Sequence, residues 1–215
     1  MKKIAINIVS SAKIFAPTKI EDLDEKRLCP TMMTRRRLTR NSKVMLYLSD
    51  RCNFEGGKVV YGSCYSELEE TAKIANSVLN GELLSPTSFQ NSVYNTAPSY
   101  LSLITKNKDE LITLSSGMTT SKAALKTAAL QALISKQRVL CVCIECINIP
   151  NIDQINRCTK YLEAGAAVVV EVAQDLSDAV EIEDFRTEGI IDSLQDIMSV
   201  VNMHENKKDK ILIEL

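Results

Sequence analysis

The residues whose types and spacing could do chemistry lie in ELITLSSGMTTSKAALKTAALQALISKQRVLCVCIECIN, residues 110–148. Residues 111–114 are a short β-prone run, Ser115-Ser116-Gly117 supplies a tight bend, and Thr119 or Thr120 can cap a helix continuing to about Ser135. The chain therefore turns from strand to helix at residues 117–120. The first amides of a helix carry partial positive charge, so such a corner favours an anion or a thiolate, and a nucleophile would be placed there. The corner residues are Gly117, Met118, Thr119 and Thr120, and of these Met118 is a thioether with no proton to lose.

Hydroxyl alternatives exist at Ser115, Ser116 and Ser63, the last at a second strand-to-helix bend after residues 58–61. Neither GxxxxGK[ST] nor GxSxG surrounds Gly62-Ser63, so this bend reads as a turn and helix cap. A serine nucleophile needs a base, and the single histidine, His204, sits in NMHENKKDK, which reads as a solvated loop. Cys141, Cys143 and Cys146 invite a metal, yet Cys-x-Cys-x-x-Cys lacks a fourth close ligand, Cys158 being the only nearby one. On a strand Cys141 and Cys143 share one face and Cys146 takes the other, so the three read as buried small hydrophobes. Neither a metal nor a dissociable cofactor is implied.

The elements that must position this centre follow from composition and pattern. A chain of 215 residues, 45% apolar and 25% charged, is long enough for a substantial core. Its net charge of −1 gives no basic footprint for nucleic acid or a membrane surface. No run approaches the ~20 apolar residues that span a bilayer. In MKKIAINIVSSAKIFAPTK the apolar stretch is broken by Asn7, Ser10, Ser11 and Lys13, without a cleavage site. With seven irregularly spaced cysteines, this points to a reducing cytoplasm.

Residues 4–9 read as the first strand and 17–30 as a charged loop. TMMTRRRLTRNSKVMLYLSD reads as one helix burying Met33, Leu38, Val44, Met45 and Leu48, with Arg35, Arg36 and Arg37 clustered near its start. An amphipathic helix is predicted over 66–79, a helical stretch interrupted at Pro98 over 89–105, and strands at 138–147 and in AAVVVEV. From Gln174 follow an acidic loop, a helix over 188–201, a charged linker and a terminal ILIEL strand.

Two segments carry a family resemblance. TLSSGMTTSKAALKTAAL resembles the nucleophile elbow of β-ketoacyl synthases, typically T-V-D-T-A-C-S-S-S-L-x-A-L. Thr113 matches the first Thr, Gly117 the small residue, Thr119 and Thr120 the hydroxyl residues and Ala124-Leu125 the helix, which puts Met118 on the nucleophile. SPTSFQNSVYN, residues 85–95, resembles the synthase-like proteins of bacterial aryl-polyene and related pigment clusters, the β-ketoacyl synthase-like N-terminal family of chain-length-factor type. That family often has a polar, commonly acidic, residue where this chain has Met118.

The resemblance spans residues 32–172 and implies an α/β, thiolase-like fold, approximately one βαβαβαββ half. The implied organisation is a single domain over 1–215, with 174–215 as a helical C-terminal extension. It also implies a non-catalytic subunit that pairs with a condensing enzyme in polyketide, aryl-polyene or fatty-acid-like biosynthesis. Its partners would be a β-ketoacyl synthase subunit, or a second copy of itself, and an acyl carrier protein. On this resemblance Phe89, Tyr94, Asn95 and Tyr100 are candidates for lining the acyl channel, and Arg35, Arg36 and Arg37 for docking the carrier. The second half of such enzymes supplies two catalytic histidines, or His and Asn; this chain has one histidine, so a Cys-His-His triad cannot be assembled from it. Two other classes stay open: a homodimeric binding or scaffold protein, and a serine-nucleophile acyltransferase or hydrolase.

Three expectations follow. The 111–114 strand is an apolar edge that pairs with a second subunit. Lys122 and Lys126 stand one turn apart, with Lys136 within about 40° of Lys122, so this side of the helix meets water or an acidic partner. The third concerns activity. Neither the protein nor its Met118→Cys variant turns over a carrier-bound acyl thioester, as measured by carbon dioxide release and product mass; acylation of the unmodified protein at this corner would overturn the alignment.

Overall fold

The two most apolar runs, VLCVCIEC and EAGAAVVVEV, become adjacent antiparallel strands at the centre of a sheet, paired from Val139↔Val170 to Cys146↔Glu163. Strands covered by helices on both faces need no polar alternation, which is why these runs can be continuously apolar. The computed structural model describes residues 3–152, 159–183 and 185–214. Its strands are β1 (Lys3–Ala16), β2 (Lys58–Gly62), β3 (Leu111–Leu114), β4 (Val139–Cys146), β5 (Glu163–Val172), β6 (Val180–Glu181) and β7 (Lys210–Glu214). They lie in the order β3-β2-β4-β5-β1-β7-β6. β3, β2 and β4 are parallel; β5 opposes β4, β1 opposes β5 and β7 opposes β1.

The helices are α1 (Glu25–Leu28), α2 (Met32–Arg35), α3 (Arg40–Arg51), α4 (Leu68–Leu79), α5 (Pro86–Asn91), α6 (Thr96–Thr105), α7 (Thr120–Ser135) and α8 (Gln195–Glu205). Through β5 this is the expected βαβαβαββ succession. On one face, Ala124, Leu125, Ala128 and Ala132 of α7 and Ile197, Met198 and Val201 of α8 pack on Ile6, Ile8, Cys141, Cys143, Ala166 and Val168. On the other, Val44, Met45 and Leu48 of α3 and Leu101 of α6 pack on Val59, Tyr61, Leu140, Val142 and Ile144. Strand parity divides the thiols as expected, with Cys141 and Cys143 under α7 and Cys146 on the opposite face. Cys158 lies outside the described residues.

Several expectations are corrected. β1 runs on from residue 9 to Ala16, because β5 pairs along it to Ala16↔Glu163 across an irregularity between Ile8 and Ser10. That irregularity shifts parity, so Ser11 and Lys13 reach α8, with Lys13 Nζ 2.6 Å from both Asn202 Oδ1 and Glu205 Oε2. The single helix read from Thr31 onward is two, since Thr39 adopts an extended backbone and its hydroxyl accepts from the Ser42 amide at 3.1 Å, starting α3 afresh. The charged 17–30 loop contains α1. Pro98 does not interrupt a helix; it lies in the first turn of α6, where no amide is needed, and the break falls between α5 and α6. In the C-terminal segment α8 covers α7 and the expected terminal strand is β7, paired with β1, while the acidic loop also contains a short strand, β6, that extends the sheet beyond β7. The helix expected over 188–201 begins at Gln195, after a 3-10 turn at Asp192–Leu194.

Lys122 and Lys136 are exposed and Lys126 half-buried, in line with the charge argument. The buried side of α7 is small, and so is its seat. A Cβ at Gly62 would stand 3.0 Å from both Cys143 Sγ and Thr120 Cγ2, and 3.2 Å from Ala124 Cβ. Gly62→Ala is therefore expected to destabilise the protein by about 1–3 kcal/mol through overpacking, read as a lower urea midpoint with an unchanged slope.

Candidate functional site: the strand-to-helix corner and a pocket across the sheet

The corner is built by hydroxyls folded back on the main chain. Gly117 takes the left-handed conformation (φ +56°) that the tight bend requires. Thr120 Oγ1 accepts from the Ser116 amide at 2.9 Å and donates to the Gly117 carbonyl at 2.6 Å. Thr119 is the N-cap of α7, yet its hydroxyl donates to the Ser116 carbonyl at 2.9 Å and caps no amide. Met118 is left outermost, 44% exposed.

A groove of about 570 Å³ opens beside it, lined by Met118, Thr119, Lys122 and Lys126 on one wall and by α8, β6 and β7 on the other. Five carboxylates, those of Glu181, Glu183, Asp192, Asp196 and Glu214, outnumber the three cations lining it, Lys122, Lys126 and Arg186. Of the five, Asp196 reaches the first turn of α7, through the Ser121 hydroxyl at 3.2 Å, while Glu181 and Glu214 pair with Lys3, Glu183 with Lys208 and Asp192 with Arg186.

No serine here is armed among the described residues. Ser63 is fully buried and donates to Glu145 Oε2 at 3.0 Å. Ser115 and Ser116 are exposed, but the histidine is elsewhere. His204 is not in a solvated loop; it lies in the last turn of α8, with Nδ1 2.7 Å from Ser11 Oγ. Ser121, beside the corner, reaches Asp196 at the other end of α8 at 3.2 Å, about 12 Å of helix away from His204.

The remaining candidates divide. Arg37, Asn95 and Tyr100 converge on a second pocket of about 380 Å³, with Val93 and Leu103 among its lining. Phe89 and Tyr94 do not line it: Phe89 is 65% exposed, and the Tyr94 hydroxyl donates to the Cys64 carbonyl at 2.8 Å. Arg35 is tied down, donating from Nη1 to the carbonyls of Cys29 (2.7 Å) and Pro30 (3.1 Å), while Arg36 is exposed.

A family model described as β-ketoacyl synthase, N-terminal domain, matches residues 13–209. The chain belongs to this family. A search of curated proteins gives no match. Among solved structures it resembles the ketosynthase ApeO in complex with its chain length factor ApeC from Xenorhabdus doucetiae (22% identity, TM-score 0.64), over 79% of this chain and 80% of that one. It also resembles the ishigamide ketosynthase/chain length factor (13%, 0.61, 80% and 63%). A third likeness is to AntDE:AntF, a type II acyl carrier protein in complex with its ketosynthase (12%, 0.58, 81% and 64%). The chain thus spans less than two thirds of the chains matched in the last two structures. At these identities the likeness is one of fold, and the fold is the thiolase-like one of ketosynthases.

Two buried acids, neither singled out from the sequence, hold this ketosynthase-like domain together around its candidate sites. Glu145 Oε1 accepts from the Cys64 amide (2.6 Å) and the Ser193 hydroxyl (2.8 Å), and Oε2 from the Ser63 hydroxyl and the Tyr65 amide (3.1 Å). Burial raises its pKa, the four donors pulling the other way. Glu67, the N-cap of α4, accepts from the Thr39 hydroxyl at 2.9 Å. Burial pushes Glu67 up from 4.5 to about 8, Thr39 pulling down and Glu70 and Glu69 adding to the rise. A lone acid within an apolar strand run was the available signal for Glu145; Glu67, in SELEE, carried none.

The sign for Glu67 is that of an acid raised by folding. Below about pH 4.5 both states hold the proton. As pH rises towards 8 the unfolded chain loses it first, so stability falls across this window. Glu67→Gln should therefore flatten the decline between pH 5 and 8 and be the more stable protein at pH 8, by urea denaturation at several pH values. An unchanged slope would remove Glu67 as its source.

Proposed function

We propose that this chain is a non-catalytic synthase-like subunit of chain-length-factor type. It pairs with a β-ketoacyl synthase through β3 and bounds an acyl or polyene chain that an acyl carrier protein delivers to that partner. The observation that carries the reading is the state of β3. It is the last strand of the sheet, and its far side is unpaired among the described residues. Val59 N donates to Glu110 O and Ser63 N to Leu114 O, so alternate β3 residues turn inward, and Leu111 and Thr113 present their amides and carbonyls to the open edge.

Apolar side chains flank that edge on both faces of the sheet. On the α7 side Leu130 and Ile134 are exposed; Gln131 between them accepts from Lys58, which also pairs with Glu110 immediately before β3. On the α6 side Leu103 is exposed. No residue of α4 is buried, and Val78, Leu79 and Leu83 stand in solvent, Leu83 at 98%. Open apolar edges and patches of this kind mark association surfaces.

The corner supports the non-catalytic part, since Met118 cannot form a thioester and the Thr119 and Thr120 hydroxyls beside it are spent on the bend. Likeness in fold to ketosynthase–chain length factor complexes supports the kind of partner. Among the described residues no helix is long and apolar enough to cross a membrane. Five of the six described cysteines are buried and all six are free, which supports a reducing cytoplasm.

A homodimeric scaffold would use the same edge, and co-expression separates the two. The wild type should sediment as a homodimer alone at micromolar concentration and exchange into a heterodimer with a co-expressed ketosynthase. Thr113→Pro removes an outward amide without touching the ladder to β2, so it should yield a folded monomer that captures no synthase. A monomeric wild type, or a Thr113→Pro variant that still pairs, would sink this reading.

A further inference from the structure

Among the described residues α3, α6, α7 and α8 each bury four residues or more, whereas α4, twelve residues long, buries none. Ala72 and Ile74 are half-buried, and Val78 and Leu79 at its far end stand in solvent. The ion pairs of Lys73 run to Glu69 and Glu70 of the same helix, so they do not tie it to the body. What fastens α4 is its start. Ser66 and Glu67 are 2% and 4% exposed, and Leu68 packs against Ile147, Ile152 and Leu162.

The main chain is held firmly as far as Ser66. Ser63, Cys64 and Tyr65 are bonded to Glu145, the Ser66 amide donates to Ser63 Oγ at 2.7 Å, and the Ser66 carbonyl accepts from Asn41 Nδ2 at 2.7 Å. Ser66 itself takes the left-handed conformation (φ +50°), which strains a residue with a β-carbon. Its buried hydroxyl, like the buried Asn41 Oδ1, finds no partner among the described residues. Glu67 follows as the N-cap of α4, yet its carboxyl makes no bond to the first amides of its own helix. It is turned inward, where Thr39 Oγ1 donates to Oε1 at 2.9 Å, its one hydrogen bond among the described residues.

No cation answers a charge at this place. Glu69 and Glu70 of α4 repel it, and Tyr61 of β2, Cys146 of β4 and Tyr100 of α6, which its charge reaches, are all groups that an anion raises. Glu145 acts on Tyr61 and Cys146 as well. Arg40 of α3 is paired with Glu163 and Lys73 of α4 with Glu69 and Glu70, while Arg37 acts on Tyr100 and not on Glu67.

We propose that α4 is a flap hinged at Ser66 and latched by the uncharged Glu67 carboxyl, and that ionisation of this carboxyl releases it. The carboxylate then leaves Thr39 for water and for the positive start of its own helix. Ser66 relaxes its backbone and gives its hydroxyl to water, and Leu68 leaves its cluster. Val78 and Leu79 ride on the flap, so the latch sets where that apolar surface stands. Latched, Glu67 keeps its proton up to about pH 8, and free of the latch it loses it near 4.5. Opening therefore gains up to about tenfold per pH unit between these two values and levels off above the upper one.

Amide hydrogen exchange of the full chain, followed from pH 5 to 9 and corrected for the intrinsic base-catalysed rate, reads the flap in residues 69–80. Their protection should fall through the window and flatten above pH 8. Their exchange should also be indifferent to urea below the unfolding transition, because a local opening exposes little surface, while the amides of α7 stay more protected and follow urea. Glu67→Gln keeps an acceptor for Thr39 and gains no charge, so its α4 protection should be the same at pH 5 and pH 9. Amides of α4 that exchange at the rate and with the urea slope of α7, or a pH profile unchanged in Glu67→Gln, would overturn the flap. Carbon-13 observation of the Glu67 carboxyl in the wild type keeps the test decisive even if the variant misfolds: it should titrate well above 4.5, and titration at that ordinary value would overturn the latch. A chain that never paired with a synthase would show the same flap, so this reading and the proposed function fail separately.

Discussion

A carboxylate taken out of water costs several kcal/mol unless hydrogen-bond donors replace its hydration. Glu145, 1% exposed at the end of β4, imposes that constraint on two separate parts of the chain. Its donors come from the bend after β2, through Ser63, Cys64 and Tyr65, and from the turn before α8, through Ser193. The Ser63 hydroxyl that donates to it also accepts from the Ser66 amide, which carries the constraint on to the start of α4. The C-terminal segment is thereby anchored at the same end of the sheet as the β2 bend. With α8 so anchored beside α7, the groove at Met118 has its second wall.

The covering that the C-terminal segment gives α7 is partial, and charge says where it stops. Ala124, Ala128 and Ala132 let the helix lie close on the sheet, and Leu125 turns towards α8. Lys122 and Lys126 lie on the groove side, where ammonium groups stay wet. On the other flank Leu130 and Ile134 have no such cover, and they stand on the side of β3. One flank of α7 is thus completed within the chain and the other is left apolar.

What could be read in the sequence was what local rules decide. β3 and α7 are legible because a β-prone run, a Ser-Ser-Gly bend and an alanine-rich helix agree with one another, and the structure places them at Leu111–Leu114 and Thr120–Ser135. The cysteine parity in β4 was legible for the same reason. The length of β1 was not, because Ser10, Ser11 and Lys13 break the apolar pattern; the first reaches the Cys52 carbonyl and the other two reach α8, contacts made across the chain. His204 looked solvated because its partner Ser11 is 193 residues away. Arg37, Asn95 and Tyr100 were singled out for two different tasks, and only the packing of α6 beside the turn after α2 shows that they share one pocket.

That pocket and the Met118 corner lie on opposite faces of the sheet, one beside α6 and the other at the start of α7. At the corner the Thr119 and Thr120 hydroxyls close the bend, the exposed Met118 side chain is a thioether, and carboxylates line the far wall of the groove. Arg37 and the start of α6 are on the other side. A sheet keeps its two faces apart everywhere except at an edge. β3 is such an edge, with α7 above it and α6 below, so a chain that paired with β3 would meet both faces at once, the Met118 corner and the α6 surface together.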